Sequence, residues 1–163
     1  MTKAHFGLVG LGVMGENLVL NAERNGFSSV VYNRTYQKTE DFLSGRGLNK
    51  SIQGAKDLQE FVAKLERPRR VLMMVKAGAA TDAVINQISP FLEEGDLLID
   101  GGNAQFMDTE RRVKELERKS FGYIGMGVSG GAKGACSSSL TGFAIDTVWD
   151  DAIEPISRIW VQR

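Results

Sequence analysis

The stretch Phe6-Gly7-Leu8-Val9-Gly10-Leu11-Gly12-Val13-Met14-Gly15 decides the fold. A short apolar run, Phe6 to Val9, enters a glycine-rich turn, after which Met14, Leu18 and Ala22 recur at i, i+4 and i+8. That change of period predicts a strand, a tight turn and a helix that Asn25-Gly26 stops. Glycines spaced as Gly10, Gly12 and Gly15 between a strand and a helix suit a dinucleotide. The first permits the turn, the second lets backbone approach a diphosphate, and the third lets helix and strand pack closely. Amides at the helix start then face the anion. Gly10, Leu11, Gly12, Val13, Met14 and Gly15 are therefore the first candidate cofactor-binding run.

The same alternation continues along the chain. Strands are predicted at Ser29–Tyr32, weakly after Lys50, at Val71–Val75, at Leu97–Ile99 and at Tyr123–Met126. Helices are predicted at Lys38–Leu43, along the Leu58, Phe61, Val62, Leu65 stripe, at Ala80–Ile88 with a further turn at Pro90–Leu92, and at Thr109–Lys119. Short strands apolar on both faces, each followed by a helix, describe a parallel sheet covered on both sides. Right-handed crossovers make it an α/β, doubly wound, mostly parallel sheet of the Rossmann-like kind. At 163 residues the chain reads as a single domain over 1–163, with an atypical, less periodic tail at 135–163.

Composition narrows the function classes. Lys plus Arg and Asp plus Glu are both 20, so the basic excess of a nucleic-acid or anionic-membrane binder is missing. One cysteine, Cys136, rules out an intramolecular disulfide framework, and one histidine, His5, rules out multi-histidine metal sites, so no metal is expected. His5 itself is expected at the surface. The longest apolar run, Val71 to Val75, is too short to span a bilayer, and no signal peptide precedes Phe6, so a cytoplasmic location is expected.

Four further runs carry the chemistry. The second strand ends in Asn33-Arg34-Thr35, where an NAD site would place a carboxylate for the ribose 2′-hydroxyl. A planar cation there suits a 2′-phosphate, with Asn33 and Thr35 able to donate hydrogen bonds, so NADP is preferred over NAD. Val75, Lys76 and Ala77 lie at the carboxyl end of the fourth strand-like segment and are placed along the diphosphate or nicotinamide half. Asp100-Gly101-Gly102-Asn103 ends the strand after that, with Asp100 expected to cap backbone amides and Asn103 to bind. Gly127-Val128-Ser129-Gly130-Gly131 offers small residues on which a hydroxylated or anionic substrate can sit. Ser129 has no histidine beside it, and no catalytic residue is assigned.

Taken together these runs resemble the 6-phosphogluconate dehydrogenase family within the wider β-hydroxyacid dehydrogenases. Met74-Val75-Lys76-Ala77-Gly78, Ile99 to Asn103 and Asp108-Thr109-Glu110-Arg111-Arg112 carry the likeness, which runs from Phe6 to about Gly131. The resemblance implies NADP-linked oxidative decarboxylation of 6-phosphogluconate to ribulose 5-phosphate in the pentose phosphate pathway. It implies that Gly10 to Gly15 hold the diphosphate and that Asn33, Arg34 and Thr35 hold the 2′-phosphate. Val75 and Lys76 then lie along the cofactor, Asn103 bridges cofactor and substrate, and Ser129, Gly130 and Gly131 contact substrate. The pattern departs at Ala132-Lys133-Gly134-Ala135, where the family has two glutamates, and at Cys136 to Phe143, where it has a proline-glycine loop. The family's catalytic lysine and its all-helical domain, which carries the homodimer interface, fall beyond Arg163, so the 163-residue chain alone is expected to be inactive. Alternatives are a stand-alone NADP-binding module, a degenerate paralogue, or a small β-hydroxyacid reductase. A short domain also predicts an exposed apolar patch that includes Ile153, Ile156, Ile159 and Trp160.

Overall fold

A computed structural model describes residues 2–127. Six strands form one sheet: β1 (Phe6–Val9), β2 (Ser29–Tyr32), β3 (Ile52–Gly54), β4 (Arg70–Met73), β5 (Leu97–Asp100) and β6 (Gly122–Gly125). Their spatial order is β3-β2-β1-β4-β5-β6, and every neighbouring pair is parallel. The crossovers carry α1 (Val13–Arg24), α2 (Tyr36–Ser44), α3 (Leu58–Ala63), α4 (Ala79–Ile88) and α5 (Phe106–Glu117). A short 3₁₀ turn, Ser89–Phe91, extends α4 where Pro90 ends the regular ladder. Among the described residues no helix is long and apolar enough to cross a membrane.

Strand periodicity divides the core in two. Leu8 pairs with Val31 and Leu72, and Leu72 with Ile99, so all four share one face. They pack with Leu18 and Val19 of α1 and Phe42 of α2. Val30, Val71 and Leu98 take the opposite face, with Phe61 and Val62 of α3, Ile85 and Ile88 of α4 and Leu116 of α5. Gly7 belongs to that second face. A Cβ at Gly7 would lie 2.3 Å from the Phe61 ring, so the glycine lets α3 seat an aromatic directly on the central strand. These are continuous apolar strands buried on both sides, as the sequence pattern predicts.

Some boundaries differ from expectation. The fourth strand stops at Met73 instead of Val75: the Met74 amide still reaches the Val9 carbonyl at 2.8 Å, but Val75 lies past the last paired residue and lines a cleft. Helix α2 runs longer than Lys38–Leu43, starting at Tyr36. Helix α5 starts at Phe106 rather than Thr109. Phe106 and Met107 in its first turn are exposed, so the amphipathic stripe gives no sign of that start. His5 is half-buried at the surface. Its Nδ1 accepts the Ser28 amide at 2.9 Å, and its ring meets Phe27 edge-on, so it ties the entrances of β1 and β2 together.

Candidate cofactor cleft

Parallel strands that diverge at β1 and β4 leave a crevice at their carboxyl ends. The cleft there has a volume of about 370 Å³. The glycine turn after β1 forms its floor. Gly10 has φ +104°, in the region that favours glycine, and a Cβ on it would lie 2.4 Å from the Met74 carbonyl oxygen. Gly15 supports the turn from beneath, where a Cβ would lie 2.2 Å from the Gly10 carbonyl oxygen. Gly12, the N-cap of α1, differs: nothing lies within 4 Å of the place a Cβ would take. That open space at the start of a 12-residue helix is what backbone approach to a diphosphate needs.

The end of β2 closes one side. Tyr32, Asn33, Arg34 and Thr35 all line the same cleft as Gly10, Leu11 and Gly12. Asn33 braces the two segments, since its Oδ1 accepts the Leu11 amide at 3.1 Å and its Nδ2 donates to the Thr35 carbonyl at 3.1 Å. Arg34 is exposed and makes no ion pair among the described residues. Lys38, one turn into α2, joins it on the lining and is likewise without an ion pair among the described residues. Val75 and Lys76 form the opposite lip, with Lys76 exposed. No carboxylate lines this cleft among the described residues, so a phosphate meets cations and amides there without a repelling charge.

Not every expected residue lies on this cleft. Val13 is exposed on the neighbouring surface depression, Met14 packs against the core, and Gly15 is buried. Ala77 and Asn103 are off the lining. Asn103 stands exposed one strand further along with φ +58°, a left-handed conformation that asparagine tolerates. The turn before it rests on the lip: a Cβ at Gly102 would lie 2.4 Å from the Val75 carbonyl oxygen. Ser129, Gly130 and Gly131, the remodelled 132–143 segment and the apolar tail all lie outside the described residues.

The sequence reading missed two features. In the sequence Lys38 reads only as the start of a helix, although its spacing of four from Arg34 is the available signal. Ala80, Ala83, Val84 and Gln87 of α4 form the remaining wall, and their i, i+3, i+4, i+7 spacing marks one helix face.

Comparison with known proteins places the fold in a family. The family model described as the NAD binding domain of 6-phosphogluconate dehydrogenase matches residues 5–144. The chain belongs to that family. It is 57% identical over 159 residues to the decarboxylating 6-phosphogluconate dehydrogenase of Synechococcus elongatus, covering 97% of this chain and 34% of the relative. The Saccharomyces cerevisiae decarboxylating enzyme 1 is 54% identical over 133 residues, covering 82% of this chain and 27% of the relative. Plasmodium falciparum 6-phosphogluconate dehydrogenase, solved apo, with its cofactor NADP+ and with its substrate 6-phosphogluconate, superposes with a TM-score of 0.84 at 37% identity. That match covers 97% of this chain and 34% of the other. A Mycobacterium tuberculosis 3-hydroxyisobutyrate dehydrogenase shares the fold, with a TM-score of 0.79 at 16% identity, covering 98% of this chain and 53% of the other. The chain thus spans about a third of the length of the curated 6-phosphogluconate dehydrogenases it matches.

In this 6-phosphogluconate dehydrogenase family member a buried ionic network lies behind the lip. Arg112, only 1% exposed, donates from Nε to Asp82 at 2.8 Å, from Nη1 to Asp100 at 3.3 Å and from Nη2 to the Gly78 carbonyl at 3.1 Å. Tyr123 donates its hydroxyl to Asp100 at 2.8 Å, while the other Asp100 oxygen accepts the Gly102 amide at 2.9 Å. The expected capping role of Asp100 is therefore present. Burial first, then the Asp100 charge, pushes the Tyr123 hydroxyl well above the ordinary phenol range, so it remains a donor.

The hydrogen bond from Arg112 outweighs the opposing effect of burial and, with a weaker one from Arg111, holds the Asp82 carboxyl below the usual carboxylate range. A carboxyl whose folded pKa is depressed adds stability above its unfolded value of about 3.9 and loses it as pH falls through the folded value. Asp82→Asn is accordingly expected to melt lower than the parent at neutral pH. The gap should narrow below about pH 4, where the unfolded parent chain takes up the proton first, and close as pH falls through the depressed folded value. Melting curves from pH 7 to pH 3 check this, and a gap that stays constant across the range would contradict it.

Proposed function

We propose that the chain is the NADP-binding region of a decarboxylating 6-phosphogluconate dehydrogenase, folding as one unit over residues 1–163. The observation that carries this reading is the cleft that brings the glycine turn, Arg34 and Lys38 to one place with no carboxylate on its lining. In it, the Gly10–Gly15 turn and the start of α1 receive the diphosphate. Arg34, Thr35 and Lys38 receive the adenosine 2′-phosphate, and Asn33 holds the two segments at a set spacing. Val75, Lys76 and Ala77 follow the nicotinamide half, and Asn103 bridges toward substrate with Ser129, Gly130 and Gly131. When bound, NADP supplies the hydride acceptor for oxidation of a secondary hydroxyl. This chain's residues bind and orient it.

The reading extends to a cytosolic protein whose substrate is 6-phosphogluconate. The cleft lining has cations and amides but, among the described residues, no histidine or carboxylate suited to take the hydroxyl proton. We therefore propose that turnover requires residues beyond this third of the enzyme, which also orient the sugar acid. Two measurements on the purified chain test the reading. Calorimetric titration is expected to show NADP+ binding at least about tenfold tighter than NAD+, as one charge-assisted phosphate contact supplies. Assay with 6-phosphogluconate and NADP+ is expected to give no NADPH. Equal or tighter NAD+ binding would overturn the cofactor assignment, and steady NADPH production would overturn the division of labour.

A further inference from the structure

The loops after β4 and β5 meet directly. A Cβ at Gly101 would lie 2.4 Å from the Met74 sulfur, and one at Gly102 would lie 2.4 Å from the Val75 carbonyl oxygen. Neither loop has regular structure of its own. Residues 74–78 follow the end of β4 at Met73, and Gly78, the N-cap of α4, has φ +92°. On the other side, Asn103 has φ +58°. Glycine and asparagine adopt these conformations at little cost, so the paths of the two loops are set by the contacts that hold them.

A single side chain reaches both. Through Nη2 the Arg112 guanidinium holds the Gly78 carbonyl, which also accepts the Thr81 and Asp82 amides as the first acceptor of α4. Through Nη1 it holds Asp100, whose other oxygen fixes the Gly102 amide just before Asn103. Its Nε is taken by Asp82 in the first turn of α4. Tyr123, from β6, completes the cluster at Asp100. The fork geometry of a guanidinium fits three acceptors at fixed angles, which an ammonium cannot do. Arg112 does not itself line the cleft.

We propose that Arg112 is a positioning residue for the nicotinamide half of the cofactor cleft, locking the loops after β4 and β5 into one unit that sets Lys76 and Asn103 relative to each other. This rests on the NADP reading above. It also predicts a local effect: the adenosine 2′-phosphate side, built on β1, β2 and α2, stays as it is.

The test compares two probes on the 163-residue chain, NADP+ and adenosine 2′,5′-bisphosphate, which lacks the nicotinamide half. Arg112→Met is expected to weaken NADP+ binding by about tenfold and to change binding of the bisphosphate by less than about twofold. Where Arg112→Met does not fold, Tyr123→Phe decides. It keeps the ring, removes the hydroxyl donor to Asp100, and is expected to weaken NADP+ selectively by about threefold. Parallel losses for both probes would make Arg112 merely structural, and unchanged binding of both would remove any role. Either result overturns the proposal. Failure of the underlying reading looks different, because the unsubstituted chain would then bind neither probe.

Discussion

Arg34→Ala is expected to weaken NADP+ binding by about 10- to 100-fold and to leave NAD+ binding within about twofold of the parent, the span of one charge-assisted hydrogen-bond partner lost from a phosphate. The two cofactors differ only at the 2′ position, and Arg34 lines the cleft at the tip of β2 without an ion pair among the described residues. Removing it therefore leaves no protein carboxylate orphaned, and little cost to folding is expected from an exposed side chain. Lys38→Ala is expected to act in the same direction more weakly, because an ammonium on a flexible stem makes a less directional phosphate contact. Parallel titrations with NADP+ and NAD+ check both. Equal losses for the two cofactors would place Arg34 away from the 2′-phosphate.

Gly15→Ala is expected to lower stability by about 3 kcal/mol, a fall of roughly 10 °C in melting temperature for a domain of this size. The added methyl carbon would stand 2.2 Å from the Gly10 carbonyl oxygen and 3.1 Å from a Leu8 methyl. The nearer obstacle is backbone, which cannot swing aside as a flexible side chain does, so β1 and α1 have to separate. Gly12→Ala is the informative contrast. Its methyl meets nothing within 4 Å, so stability is expected to fall by no more than about 1 kcal/mol, the usual cost of alanine at an N-cap. NADP+ binding is nevertheless expected to drop by about tenfold or more, since the methyl fills the space a diphosphate approaches. Thermal melts paired with titrations separate the two glycines. Similar profiles for both variants would deny them distinct roles.

Much of this was legible in the sequence because the signals are local. The strand Phe6–Val9, the glycine turn and the α1 period all lie within 20 residues, and the same segment defines both the central strand and the cleft floor. The ends of β2 and β4 follow from the rule that ligands sit at carboxyl ends where strand order reverses. What stayed hidden depends on contacts distant in sequence. Arg112 reads as one more charge on a charged helix, yet it is buried by partners 12 and 30 residues away. Gly7 reads as a weak point in a strand until Phe61 packs onto it. The bracing of Asn33 against Leu11 spans 22 residues, so composition at the strand tip gave only its donor capacity. The early start of α5 was masked by Phe106 and Met107, apolar residues that face solvent.

The most direct test is a crystal structure of the 163-residue chain with NADP+ bound. The 2′-phosphate is expected within hydrogen-bonding distance of the Arg34 guanidinium, with the diphosphate over Gly12 at the start of α1. A 2′-phosphate turned to solvent, or a diphosphate seated away from the Gly10–Gly15 turn, would contradict the account.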